Sequence, residues 1–157
     1  MTLAMTTPTA NHPRLRTAGA LIAGFLTVAV LSTAADAVLH AMNYYPNDGT
    51  VGSDAELAVA LAYRTLFTVL GGVVCARLAP SHPLRLATIL GAIGTIFAII
   101  GVVTMWHVGH QWYPIGLVVL AVPSTALGGW IFTASRVNPS NKENHNVSEN
   151  HALPLVR

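Results

Sequence analysis

The stretch LATILGAIGTIFAIIGVVTMWHVGHQWYPIGLVVLAVPSTALGGWIFTAS, residues 86–135, contains no Asp, Glu, Lys or Arg. A helix rises about 1.5 Å per residue and the hydrocarbon core of a bilayer is about 30 Å thick, so about 20 residues suffice for one crossing. The stretch is long enough for two crossings and divides at WHVGHQWYP, residues 106–114. We predict a third spanning helix over about 86–105 and a fourth over about 114–134.

Two further apolar segments precede this stretch. The first covers residues 17–42 and its charged residue is Asp36, whereas the second covers residues 57–78 and carries Arg64 within its apolar run. Backbone groups in lipid must be paired internally, which restricts spanning structures to helices and closed barrels. Runs such as LGAIGTIFAIIGVV lack the apolar–polar alternation of barrel strands. The sequence therefore predicts an all-α fold, a four-helix transmembrane bundle.

The composition agrees with lipid as the main solvent. Only 9% of the 157 residues are charged and 53% are hydrophobic, whereas soluble domains carry about 25% charged residues. The eight basic residues are scattered along the chain, so a nucleic-acid partner, which needs a basic cluster on one face, is not expected. The flanking polar segments 1–16 and 136–157 are predicted to be tails, the second one disordered.

The basic residues also predict the orientation, because cytoplasmic loops of membrane proteins are enriched in Lys and Arg. The loops 43–56 and 106–113 contain neither residue type. The basic residues instead flank the other ends of the segments: Arg14, Arg16, Arg77, Arg85, Arg136 and Lys142. We therefore predict that both termini are cytoplasmic in a multi-pass protein of the cell inner membrane, with the lipid bilayer as its main partner.

The first apolar segment also permits a different interpretation. Basic residues, an apolar run and then Ala35-Asp36-Ala37 are features of a cleaved secretory signal. The apolar run continues to Met42, which is long for a signal and suitable for a spanning helix. Cleavage would leave three helices in the same orientation, so the predicted topology does not distinguish the two cases.

Asp36 and Arg64 are the most informative residues. A charge within a spanning helix costs about 2.5–3.5 kcal/mol, so such charges persist when they are paired or functional. With Met42 and Leu57 as the outer helix ends, both residues lie about 10 Å below the same surface. We predict a buried Asp36–Arg64 salt bridge, extended into a polar pocket by His40 and Tyr63. The pair is interpreted either as a structural clamp or as a ligand, ion or proton site.

Three histidines are weak metal-binding candidates. His40, His107 and His110 all map near the predicted outer surface, and imidazole with carboxylate suits zinc or copper. No recognised ligand spacing such as HExxH is present. We therefore predict no metal, no cofactor and no catalytic residues. The lone Cys75 lies in an apolar run and forms neither an internal disulfide nor a cysteine metal cage.

Small residues four positions apart predict close helix packing in the third and fourth spans. Ala87 precedes Gly91 by four residues, and Thr125 precedes Gly129 by four. Such pairs let helix backbones approach each other in membranes. They favour a compact bundle and also suit a homo-oligomer or a membrane partner protein.

Three segments carry a resemblance to known proteins. DAVLHAM in the first span, AYRTLFTVLGGVVCARLAP in the second and WYPIGLVVLAVPSTALGGW in the fourth resemble small, uncharacterised four-helix inner-membrane proteins found widely in bacteria. The resemblance covers about residues 17–135, and its most distinctive residues are Asp36, His40, Tyr63 and Arg64. It implies location and fold but no activity. Small multidrug transporters also have four short helices. Their working carboxylate lies midway along the first span, whereas Asp36 lies near the outer end of its span.

Three functions remain at the level of sequence. The favoured one is a structural or accessory membrane protein that packs against itself or a partner. The alternative is a small transporter or ligand-binding protein that uses the pocket around Asp36 and Arg64. A membrane enzyme that uses the histidines is least expected, because no nucleophile–base pair or metal spacing is present.

Overall fold

The computed structural model describes residues 13–46, 52–107 and 110–137, and these residues form four helices. They are α1 (Pro13–Ala41), α2 (Asp54–Leu78), α3 (Pro83–Met105) and α4 (Trp112–Val137). The shortest has 23 residues, about 35 Å at the usual helical rise. All four are long and apolar enough to cross a membrane, which confirms the predicted all-α fold with four candidate spans. Most residues of the predicted tails, 1–12 and 138–157, lie outside the described residues.

Each helix begins two to four residues earlier than the apolar pattern predicts. Hydropathy marks the lipid-facing part of a helix, whereas local capping chemistry sets its first turn. At α2, the Ser53 backbone N–H donates to Glu56 Oε2 at 2.7 Å, and the Glu56 N–H donates to Ser53 Oγ at 3.5 Å. This capping box starts α2 at Asp54. At α3, Pro83 occupies the first helical turn, where its missing N–H does no harm.

The bundle has its small residues inside and its large apolar residues outside. The buried hydrophobic residues are mainly alanines, with Cys75, Leu86 and Leu90. Large side chains on the surface are exposed, including Ile96 at 60% and Val103 at 71%. A soluble protein rarely leaves so many large apolar side chains in water. The distribution is compatible with a membrane protein, in which the outer surface of the bundle faces lipid.

The packing of the helices depends on close backbone approach. α2 packs against both α1 and α4, α3 packs mainly against α4, and α1 touches α3 only slightly. A Cβ added at Gly128 of α4 would lie 2.8 Å from the Val73 backbone nitrogen of α2. One added at Gly129 would lie 2.7 Å from the Ala87 Cβ. The predicted close packing of the third and fourth spans is therefore confirmed.

The helix directions place two connections at one end of the bundle. The α1–α2 and α3–α4 connections carry Tyr44, Tyr45 and Trp106, and α4 begins with Trp112 and Tyr113. We call this the aromatic end. Aromatic rings with a polar edge are enriched where membranes meet water. The α2–α3 connection and the two outer helix ends lie at the opposite end.

Candidate functional site

The polar centre of the bundle is an interhelical contact between α1 and α2. The Arg64 Nη2 of α2 donates to the Asp36 Oδ2 of α1 at 2.6 Å. The Tyr63 hydroxyl donates to the other carboxylate oxygen, Oδ1. Both oxygens of Asp36 are thus held by α2. We call this arrangement the Asp36 clamp.

The Asp36 clamp is less buried than the salt bridge predicted from the sequence. The side chain of Arg64 is 34% exposed and that of Asp36 is 28% exposed in the single chain. The expectation of a buried pair is therefore corrected to a partly exposed one. The reason is that two open spaces adjoin the pair, because Asp36 and Arg64 line both of them.

One nitrogen of Arg64 differs from the rest of the clamp. The Arg64 Nε is buried and has no hydrogen-bond partner among the residues that the structure describes. A buried donor without a partner is unfavourable by about 1–3 kcal/mol, and by more when the group is charged. Arg64 therefore has one buried donor that no described residue uses, whereas both oxygens of Asp36 accept at least one hydrogen bond.

A polar pocket opens from the clamp toward the aromatic end. It has a volume of about 210 Å³. Its polar lining comes from α1, α2, α4 and the α1–α2 connection: Asp36, His40, Tyr45, Tyr63, Arg64 and Tyr113. The pocket thus brings together the four residues singled out from the sequence, Asp36, His40, Tyr63 and Arg64. Tyr45 and Tyr113 join them because the α1–α2 connection folds over the pocket and α4 packs beside α2. We call this space the aromatic-end pocket.

Individual contacts fix the walls of the aromatic-end pocket. The His40 Nδ1–H donates to the Asp36 backbone carbonyl at 2.8 Å, which orients the imidazole along α1. The Tyr45 hydroxyl donates to the Glu56 carbonyl at 3.3 Å. Burial raises the pKa of the Tyr45 phenol above its usual value, so this residue remains a neutral donor at physiological pH.

A larger space lies on the opposite side of the clamp. This interhelical cavity has a volume of about 370 Å³ and is lined by all four helices. Asp36 and Arg64 line both spaces, so the clamp stands between them. The hydroxyls of Thr65 and Thr68 each donate to the carbonyl four residues earlier in α2, at 2.7 Å.

Within the described part of the chain, His40, His107 and His110 are not grouped with acidic side chains as a metal site. Among the described residues, no three His, Cys, Asp or Glu side chains are grouped to hold a metal ion. His110 lies 3.7 Å from an oxygen of Asp54, and both side chains are exposed. His107 is exposed in the α3–α4 connection. His40 lies in the aromatic-end pocket instead.

One hydrogen bond at the aromatic end is not predicted from the sequence. The Trp112 indole N–H donates to Asp54 Oδ1 at 2.8 Å, which ties the start of α4 to the start of α2. Indoles are common at membrane boundaries, and acidic residues are common in the first turn of a helix. Each residue is therefore explained without the other. No sequence spacing signals their pairing, because 58 positions separate them.

The chain matched nothing in comparisons with protein-family models, with curated proteins and with solved structures.

Proposed function

We propose that the chain is a multi-pass protein of a bacterial inner membrane with both termini in the cytoplasm. Its molecular role in this proposal is structural or accessory, without catalysis, and its partners are bilayer lipids and a second copy or another membrane protein. The orientation is supported by exposed arginines at the end opposite the aromatic end: Arg14, Arg16, Arg77, Arg85 and Arg136. The bacterial location is supported by the resemblance of DAVLHAM and the other quoted segments.

The observation that carries the structural role is the double attachment of Asp36 to α2. Arg64 and Tyr63 are consecutive residues, and each donates to a different oxygen of Asp36. Because consecutive helical residues diverge by about 100°, only one register of α1 against α2 lets both reach the same carboxylate. The clamp therefore specifies how α1 docks on the rest of the bundle, as intramembrane ion pairs commonly do.

A second candidate function is ligand binding or transport at the aromatic-end pocket. It is favoured by the convergence of one carboxylate, one guanidinium, one imidazole and three phenols on about 210 Å³. Ligand sites use a small number of precisely placed polar groups to orient what they bind, and the pocket supplies such groups.

The two roles are separated by variants that alter the pocket and spare the clamp. His40→Ala and Tyr113→Phe change the lining of the aromatic-end pocket but neither of the bonds that Arg64 and Tyr63 donate to the Asp36 carboxylate. Under the structural role, cells carrying either variant compete in mixed culture as well as wild-type cells, whereas Asp36→Asn cells fall behind together with their amount of folded protein. The two pocket variants could also accumulate normally while their cells compete as poorly as cells that lack the whole gene. In that case the structural role is wrong and the ligand role replaces it.

The orientation has its own test, in a background where Cys75 is replaced by alanine. Cysteines are introduced at Ser81 in the α2–α3 connection and at His110 in the α3–α4 connection, where both residues are exposed. We expect a membrane-impermeant maleimide to label His110→Cys from the periplasm and Ser81→Cys only after the inner membrane is opened. The reverse order of labelling would refute cytoplasmic termini.

A further inference from the structure

We propose that the junction of α3 and α4, at the end opposite the aromatic end, binds the phosphate of an anionic phospholipid through Arg85 and Arg136. The inference deepens the proposed function, because it names the bilayer lipids that the chain prefers. It rests on the proposed membrane location but not on the orientation or on the accessory role. We call this end of the bundle the arginine end, after the exposed arginines that the structure describes there: Arg14, Arg16, Arg77, Arg85 and Arg136.

The charges of the described residues are divided between the two ends of the bundle. Asp54 and Glu56 lie in the first turn of α2, at the aromatic end. No described residue at the arginine end is acidic, and the ion pairs among the described residues, those of Asp36 and Asp54, include none of its arginines. The arginine end therefore presents positive charge that attracts anionic groups in the adjoining layer of lipid headgroups.

Arg85 and Arg136 are placed where α3 and α4 meet. A Cβ added at Gly129 of α4 would lie 3.4 Å from the Leu84 Cα of α3, so Arg85, the next residue of α3, lies near the depth of Gly129. Arg136 follows Gly129 by about two helical turns and returns to the same side of α4. Its guanidinium lies over the Phe132 ring, 4.7 Å from the ring centre. Two exposed guanidinium groups on neighbouring helices suit a phosphate, whose oxygens accept several charge-assisted hydrogen bonds.

An apolar stripe on α3 leads away from Arg85 toward the aromatic end. Ile89, Ile96 and Val103 follow Arg85 at helical spacing and share one helix face with it. All three apolar side chains are exposed. Acyl chains lie along this stripe while the headgroup meets the arginine. A soluble phosphate or an acidic peptide uses only the charge, whereas a phospholipid matches the charge and the stripe together.

Trp130 makes the lipid beside this site measurable. It is exposed and follows Gly129 in α4, so it lies near the depth of Arg85. Phospholipids brominated in their acyl chains quench the fluorescence of the tryptophans that they touch. Trp106→Phe with Trp112→Phe leaves Trp130 as the reporter of the arginine end. Trp112→Phe with Trp130→Phe leaves Trp106, also exposed, as the matched reporter of the aromatic end.

The measurement uses the purified full chain, reconstituted in phosphatidylcholine vesicles that contain a fixed proportion of a brominated lipid. The brominated lipid is phosphatidylglycerol in one series and phosphatidylcholine in the other, which cancels the effect of bromine depth. The ratio of quenching in the two series gives the preference for the anionic lipid. Both leaflets have the same composition, so the direction of insertion does not affect this ratio.

We expect Trp130 to report a preference of about fivefold for phosphatidylglycerol at low salt, the factor expected for one arginine at a membrane surface. We expect Trp106 to report no preference. Arg85→Gln and Arg136→Gln should each lower the preference at Trp130 toward one. Arg14→Gln is the matched control, because it removes the same charge from α1, which packs mainly on α2. Salt at about 1 M shortens the screening length to about 3 Å and should also lower the preference.

Equal preferences at Trp130 and Trp106 would overturn the anionic-lipid site. A loss in Arg14→Gln as large as in Arg85→Gln would overturn it too, because the charge of the whole end would then act without a defined site. Inorganic phosphate that lowers the preference more than NaCl of equal ionic strength would assign the arginines to a soluble phosphate instead. A chain that does not enter vesicles would refute the membrane location and this site with it. An inserted chain without the preference refutes this site alone, since none of the variants touches the Asp36 clamp.

Discussion

Replacing Gly128 by alanine is expected to prevent the bundle from assembling. A Cβ at this position would lie 2.8 Å from the Val73 backbone nitrogen, 3.1 Å from the Gly72 carbonyl carbon, and closer still to the Val69 carbonyl oxygen. These are main-chain atoms of α2, so no side chain can rotate away and the two helices must separate. Overpacking of a core typically costs about 1–3 kcal/mol, and we expect at least the upper part of that range.

The matched control is the same substitution on a helix face with free space. At Gly101 of α3, an added Cβ meets nothing within 4 Å, so Gly101→Ala should leave the protein intact. The measurement is the fraction of chain that elutes as a single species from size-exclusion chromatography in detergent, together with its melting temperature. If Gly128→Ala is as stable as Gly101→Ala, the backbones of α2 and α4 are not in contact there.

Breaking the Asp36 clamp is expected to have the next largest effect. Asp36→Asn leaves the Arg64 charge without a counterion, and Arg64→Gln leaves the Asp36 charge with Tyr63 alone. An unpaired charge within a spanning helix costs about 2.5–3.5 kcal/mol, so each single variant should lose most of its folded protein. Exchanging the charges, Asp36→Arg with Arg64→Asp, restores an ion pair between α1 and α2 and should recover part of the loss. Recovery is partial because the Tyr63 bond is not rebuilt.

Asp54→Asn serves as the control for removal of a carboxylate. Its side chain is 70% exposed and accepts from Trp112 at the aromatic end, where an exposed polar interaction contributes about 0–1 kcal/mol. We expect near-normal amounts of folded protein. If the charge exchange is as damaging as the two single variants together, Asp36 and Arg64 do not stabilise each other across the helix pair.

The number and type of helices can be predicted from sequence because the bilayer imposes a length and an apolar composition on each span. The depth of Asp36 and Arg64 follows in the same way from the helical rise, and in the structure their side chains lie 2.6 Å apart. These features depend only on local geometry along one or two helices. Tyr63 is predicted only as a member of the polar pocket, and its bond to Asp36 is found in the structure.

The remaining features depend on how all four helices pack. The partial exposure of Asp36, the buried Nε of Arg64 without a partner and the interhelical cavity are set by how the helices fit together, not by the position of one residue along its own helix. The bond from Trp112 to Asp54 joins the first residues of α4 and α2, which are far apart in the sequence. No periodicity or spacing records such contacts, so they cannot be predicted from one sequence.

The most direct test of lipid as the solvent of this bundle is extraction of cell membranes with alkaline carbonate. All four helices are long and apolar enough to span a bilayer, and large side chains such as Val103 point outward. We therefore expect the full chain to stay in the membrane pellet and to be released only by detergent. A chain found in the carbonate supernatant, monomeric and without detergent, would contradict the account.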